Sequence, residues 1–99
     1  MGKKLKPIHP GEHLREDFMK PLGLSSNALA QALEVTPARI NEILRQRRGI
    51  SADTALRLGT YFGVSPELWL NLQADYDLRV IKRTRGEEIE RRVRKRHAA

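Results

Sequence analysis

Between Leu24 and Leu44 the chain spaces its apolar residues as two short helices that meet at a tight turn. Leu29 and Leu33 lie one helical turn apart, with the small Ala30 beside them. Val35 falls at the corner, and Ile40, Ile43 and Leu44 form the buried edge of the second helix. A residue as small as Ala30 lets two helix backbones cross closely. Thr36-Pro37 supplies a side-chain cap followed by proline at the first helical position, which fixes where the second helix begins. This is the spacing of a helix-turn-helix, a unit whose second helix can enter the DNA major groove.

The flanking sequence predicts three more helices around this unit. The first runs from Pro10 to Met19, with Leu14 and Phe18 on one face, and Lys20-Pro21 is expected to stop it because a residue before proline avoids helical backbone. Ser25 or Ser26 caps the second helix. Gly49 is expected to end the third in the left-handed conformation. Ser51 caps a fourth helix with Ala55, Leu58 and Phe62 on one stripe, closed by Gly63, and Ser65-Pro66-Glu67 opens a fifth. No strand-like alternation competes, so the fold class is all-α, a five-helix domain. The organisation read from the pattern is a helix-turn-helix domain over residues 1–81, with an irregular arm at 1–9, then a basic tail over 82–99, partly helical or disordered.

Ninety-nine residues suffice for one domain with a modest core. There is no cysteine, so disulfides and thiolate metal sites are excluded. No apolar run reaches membrane-spanning length, and a soluble, cytoplasmic protein is expected. The net charge of +7 is uneven: residues 82–97 hold eight Lys/Arg against three Glu, leaving only +2 elsewhere. A polyanion such as DNA is the natural partner of so basic a chain. In the tail, Glu87-Arg91, Glu88-Arg92 and Glu90-Arg94 are acid-before-base pairs four apart, and Ile89 faces Val93. They support a short solvated helix, marginal in isolation and expected to fray unless something binds it.

The fifth helix carries two apolar stripes. Trp69, Leu72, Tyr76 and Val80 make one; Leu70, Ala74, Leu78 and Ile81 make another on roughly the opposite side. A helix sealing a small domain needs one stripe. Either the tail folds back over the second, or the second contacts a partner copy; symmetric DNA readers favour the partner, so these four residues are assigned to a homodimer interface.

With Ile40 facing the core, helical stepping points Ala38, Glu42 and Arg45 outward, flanked by Arg39, Asn41 and Gln46, with Thr36 at the leading end. Arg39 occupies the first turn, where the helix dipole disfavours a cation; a bidentate contact to guanine would explain it. Asn41 suits adenine in the same manner, and Ala38 a thymine methyl. Glu42 either accepts from cytosine or orients Arg45. Ser26 and Asn27, at the start of the preceding helix, suit phosphate, and Arg45, Arg47 and Arg48 add sequence-independent attraction. The bland alternative for each is a solvated helix face.

His9-Pro10-Gly11-Glu12-His13 matches the H-x-x-E-H zinc-peptidase pattern in letters only. Pro10-Gly11 separates the histidines, so His9 falls outside the helix that would have to present all three groups, and no third ligand follows. Both histidines read as ordinary polar residues near a helix start. No catalytic residue, metal site or cofactor is expected.

Several segments together resemble the HigA-type antitoxins within the phage-repressor-like (Xre-type) helix-turn-helix proteins. They are His9-Pro10-Gly11-Glu12, Pro21-Leu22-Gly23-Leu24-Ser25, Arg39-Ile40-Asn41-Glu42-Ile43, residues 48–58 (RGISADTALRL), and residues 65–73 (SPELWLNLQ) with Tyr76-Asp77-Leu78. The likeness covers residues 9–80. It implies a bacterial homodimeric repressor that binds a palindromic operator in its own promoter. It also implies neutralisation of a small RelE-like ribonuclease toxin that cuts mRNA on the ribosome. By position, Ser26 and Asn27 would touch phosphate, and Thr36, Ala38, Arg39, Asn41 and Arg45 would form the groove face. Two residues depart from the pattern: Glu34 stands where relatives often have Gly, and Ser26 where Gln is frequent, which shortens the reach to the DNA backbone. Rival readings are a stand-alone regulator without a toxin, and a protein-binding module whose helix-turn-helix is vestigial.

Overall fold

The computed structural model describes residues 6–97. Within them five helices form and no strand does. Helix α1 is a continuous rod made of Pro10–His13, a π-wound stretch Leu14–Met19, and Lys20–Leu22. Helices α2 (Ser26–Leu33) and α3 (Pro37–Leu44) are the helix-turn-helix. Helix α4 spans Ala52–Phe62 and α5 spans Pro66–Arg92.

The starts follow the sequence. Ser25, Thr36, Ser51 and Ser65 hold extended backbone, and each accepts a hydrogen bond from an N–H in the first turn of the helix it opens. The ends of α1 and α3 depart from expectation. Helix α1 does not stop at Met19. The Lys20 N–H reaches back five residues to the Arg15 carbonyl, and Pro21 then needs no acceptor, because proline has no N–H to place. Gly23, at φ 64°, closes the helix in a Schellman arrangement, with Leu24 N–H on the Met19 carbonyl and Gly23 N–H on that of Lys20. Helix α3 is closed by Gln46 at φ 63° rather than by Gly49. Arg47 N–H returns to the Glu42 carbonyl, which terminates α3 three residues before the glycine arrives. Gly49 has another purpose. A Cβ there would lie 2.8 Å from Gln73 Oε1, the atom that accepts the Ile50 N–H at 2.7 Å.

Leu14, Leu29, Ile40, Ile43, Ala55, Leu58 and Trp69 are fully buried, with Met19, Ala30, Leu33 and Ile50 close behind. Phe18 packs beside two other rings of this core, its ring centroid 4.8 Å from that of Phe62 and 4.9 Å from that of Trp69. Helix α4 packs on α5 and α2, and α1 packs on α3 and α5. Val35 sits half-buried against the core at the corner of the unit. Gly11 is pressed so closely to the end of α3 that a Cβ there would overlap the Ile43 carbonyl. His9, expected to be an ordinary polar residue, is buried: its Nδ1 accepts the Gly11 N–H at 2.9 Å, and its ring stands edge-on to Tyr76 at 4.9 Å. Burial lowers its pKa, partly offset by the nearby Asp77 carboxylate.

The second stripe of α5 lies open. Leu70, Ala74, Leu78 and Ile81 are all exposed, Leu78 by more than half. Helix α5 crosses residue 81 without a break and continues to Arg92, longer than the short frayed tail helix expected. Residues 1–5 of the arm and 98–99 of the tail lie outside the described residues.

Candidate nucleic-acid interface

Helix α3 stands where it does because both of its ends are held. Thr36 Oγ1 accepts the Arg39 N–H at 3.1 Å, and Arg15 of α1 donates to the Leu44 carbonyl at 2.9 Å across 29 residues of sequence. The turn before it puts Glu34 at φ 58°, ψ 46°, with Val35 N–H on the Ala30 carbonyl and Glu34 N–H on that of Gln31. A glutamate in this left-handed conformation is strained by about 1 kcal/mol. Arg57 of α4 braces the turn, its Nη1 donating to the Leu33 carbonyl at 2.9 Å. Two arginines, Arg15 and Arg57, thus cap the carbonyl ends of the two helices of the unit. Sequence reading missed both. A cation suits a helix C-terminus, but partners 24 and 29 residues away leave no local spacing to detect.

With Ile40 and Ile43 fully buried, the other side of α3 faces solvent. Thr36, Ala38 and Arg45 are exposed, and Asn41 and Glu42 are half-buried. At the start of α2, Asn27 is exposed and Ser26 half-buried, while Ser25 is the residue that caps. Glu42 does not orient Arg45; its carboxylate pairs with Arg48 Nε at 2.9 Å. Arg45 and Arg47 are exposed and in no ion pair among the described residues. Arg39 is not presented outward like them. Its side chain is 29% exposed, and its guanidinium donates to Asp53 Oδ1 at 2.9 Å, an oxygen it shares with Arg57 Nε at 2.8 Å. The two guanidiniums, Arg57 first and then Arg39, hold the Asp53 carboxyl below its usual range.

Beyond the end of α3, a surface hollow of about 420 Å³ is lined by Lys6, Gln46, Tyr76, Val80, Arg83 and Thr84. It brings a cation of the arm and one of α5 beside the residue that closes α3. No group of three His, Cys, Asp or Glu able to hold a metal ion occurs among the described residues, and His9 is engaged as a helix cap. No described helix is long and apolar enough to cross a membrane.

Residues 16–69 match the family described as Helix-turn-helix. The chain is 61% identical over 80 residues to virulence-associated protein I of Dichelobacter nodosus, covering 80% of this chain and 74% of that one. Its fold is similar to that of the antitoxin HigA of Pseudomonas aeruginosa solved with the higBA promoter (TM-score 0.86, 46% identity, 89% and 96% of the two chains). It is also similar to the antitoxin GraA in complex with its operator (TM-score 0.90, 48% identity, 99% of each chain). More than half of the chain lies within the family match, and the likeness to the antitoxins extends over both chains. The chain therefore belongs to the helix-turn-helix family, in its phage-repressor-like, HigA-type antitoxin group.

Proposed function

We propose that this chain is a sequence-specific DNA-binding antitoxin that represses its own promoter as a homodimer and neutralises a small RelE-like, mRNA-cleaving toxin. The observation that carries the DNA reading is the exposure of the outer face of α3. Ala38 and Arg45 stand in solvent while Ile40 and Ile43 anchor the opposite side. A helix held so at both ends meets a duplex as a preformed element, without an ordering cost on binding. The two similar antitoxins, one solved with a promoter and one with its operator, support the same reading.

In this reading Asn41 and Ala38 face base edges, and Thr36 and Arg45 border the groove. Ser26 and Asn27 approach phosphate with the support of the α2 N-terminus. Arg45, Arg47 and Arg48 supply salt-sensitive attraction, with that of Arg48 tempered by Glu42. Lys6 and Arg83, flanking Gln46, extend this attraction toward the arm and α5. The exposed stripe Leu70, Ala74, Leu78 and Ile81 supports the homodimer, since a single chain leaves it uncovered.

The test is binding to DNA upstream of the chain's own gene, over a salt series, against a scrambled duplex. Asn41→Ala is expected to reduce discrimination by about 1–3 kcal/mol. Deleting residues 82–99 is expected to flatten the salt dependence with little change in preference. Equal affinity of the unaltered chain for both duplexes would refute the DNA reading. Co-expression with the product of an adjacent short reading frame tests the toxin. Failure to rescue growth would leave a stand-alone regulator.

A further inference from the structure

Asp53 lies outside the helix-turn-helix, yet it links both of its helices. One carboxylate oxygen, Oδ1, accepts from Arg39 on α3 and from Arg57 on its own helix. Arg57 continues to the Leu33 carbonyl at the end of α2, with the Glu34 carbonyl 3.5 Å away. Arg39 Nη1 also faces Thr54 Oγ1 at 3.4 Å, and Thr54 is buried and bonded to Ser51. The first turn of α3 is therefore tied to α4 through Asp53, and the last turn of α2 through Arg57, which the same carboxylate holds.

Resting on the DNA reading above, we propose that Asp53 is a positioning residue for sequence recognition and that Arg39 is its handle on α3 rather than a reader of bases. Together they set the angle at which α3 is offered to the groove. The placement of Arg39 fits this role. A cation in the first turn of a helix opposes the helix dipole and calls for a compensating partner, and Asp53 is that partner. To reach a base edge, Arg39 would have to abandon Asp53 and Thr54 and leave the carboxylate with Arg57 as its one remaining arginine.

The expected size follows from exposure. Asp53 is 58% exposed at its side chain, and an ion pair that open to water biases an orientation by a few-fold rather than holding the fold together. Removing it should leave unfolding nearly unchanged and should change how well operator is told from other DNA. That combination separates positioning from a merely structural role.

The experiment uses the full chain, the duplex upstream of its gene and a scrambled duplex of equal length, with Asp53→Asn, Arg39→Gln, the double variant and Arg39→Lys. Asp53→Asn is expected to lower the operator-to-scrambled affinity ratio about fivefold, even though it removes a negative charge that opposes DNA. Arg39→Gln should lower the ratio by a similar factor, and the double variant no further, because one linkage is broken in all three. Arg39→Lys keeps the pair with Asp53 and should keep most of the ratio. Melting temperatures and salt slopes should stay with those of the unaltered chain.

An Asp53→Asn ratio equal to or above the unaltered one, beside a loss in Arg39→Gln, would make Arg39 a base reader and overturn the proposal. So would losses that simply add in the double variant. An unaltered chain that fails to discriminate the two duplexes brings down the DNA reading itself and this proposal with it, an outcome distinct from the other two.

Discussion

The two halves of α5 share one continuous backbone and obey different rules. From Pro66 to Tyr76 the helix is held by the core: Trp69 is fully buried, Leu72 and Tyr76 are half-buried, and Gln73 takes the Ile50 N–H. Beyond Tyr76 nearly every residue is exposed, and the polar contacts are local, such as Arg79 with Asp75 and both Arg85 and Arg92 with Glu88. Such pairs are worth only a few tenths of a kcal/mol each. The second half nevertheless carries Leu78 and Ile81, residues that solvated helices have no need of. Helical continuity is therefore a poor guide to what a segment is for. The first half completes a fold, while the second leaves apolar side chains open to solvent.

The sharpest way to break this contrast is at Trp69. Trp69→Ala empties a fully buried site and is expected to cost about 3–5 kcal/mol in thermal or urea unfolding. Ile89→Ala, in the open half, should change stability by less than about 0.5 kcal/mol. Comparable losses at the two positions would show that the distal half is also part of the core. Next in size is Gly11→Ala. The added methyl must displace the end of α3, an overpacking cost of about 1–3 kcal/mol, and a small change would mean α1 yields there easily. Leu70→Asp with Leu78→Asp leaves the core untouched and is expected to give folded monomers. Dimers that persist in sedimentation would place the homodimer contact elsewhere.

Local signals carried most of the architecture. Serine or threonine before proline or a helical run is decided within a few residues, so four helix starts could be read from sequence, as could the buried identities of Leu29, Leu33, Ile40, Ile43 and Trp69. Helix ends were harder. Gln46, not the nearby Gly49, takes the closing position, and Gly49 instead lies against the Gln73 side chain. The candidate site divided the same way. The outward face of α3 follows from a 100° step, which needs only Ile40 as reference. The engagement of Arg39 by Asp53 and the caps from Arg15 and Arg57 depend on how helices meet in space, and no spacing along the chain encodes that; the pairing of Glu42 with Arg48 depends on the turn at Gln46.

His9 belongs to the closed half of the contrast and should reveal it through pH. Burial lowers its pKa below the ordinary 6.5, so the unfolded chain takes up the proton first as pH falls. Stability should be level above pH 6.5 and decline below it, as protonation takes away the lone pair that accepts the Gly11 N–H. His9→Asn keeps a capping acceptor that does not titrate. It should start less stable, having lost the ring against Tyr76, but lose much of the decline between pH 6.5 and 5. The decline persisting in full in that variant would assign it to carboxylates instead.

A small effect of the opposite sign is expected at Glu34, where the turn tolerates strain. At φ 58° a glutamate pays about 1 kcal/mol that glycine does not, while glycine adds freedom to the unfolded chain worth part of that. Glu34→Gly should therefore stabilise by only about 0.5 kcal/mol, read from the urea midpoint. The Arg57 bond to the Leu33 carbonyl is made to backbone and survives the change. A loss of stability instead would mean that the Glu34 side chain makes a favourable contribution larger than the strain of its backbone. The corner of the helix-turn-helix would then be held by that side chain as well as by Val35 and Arg57.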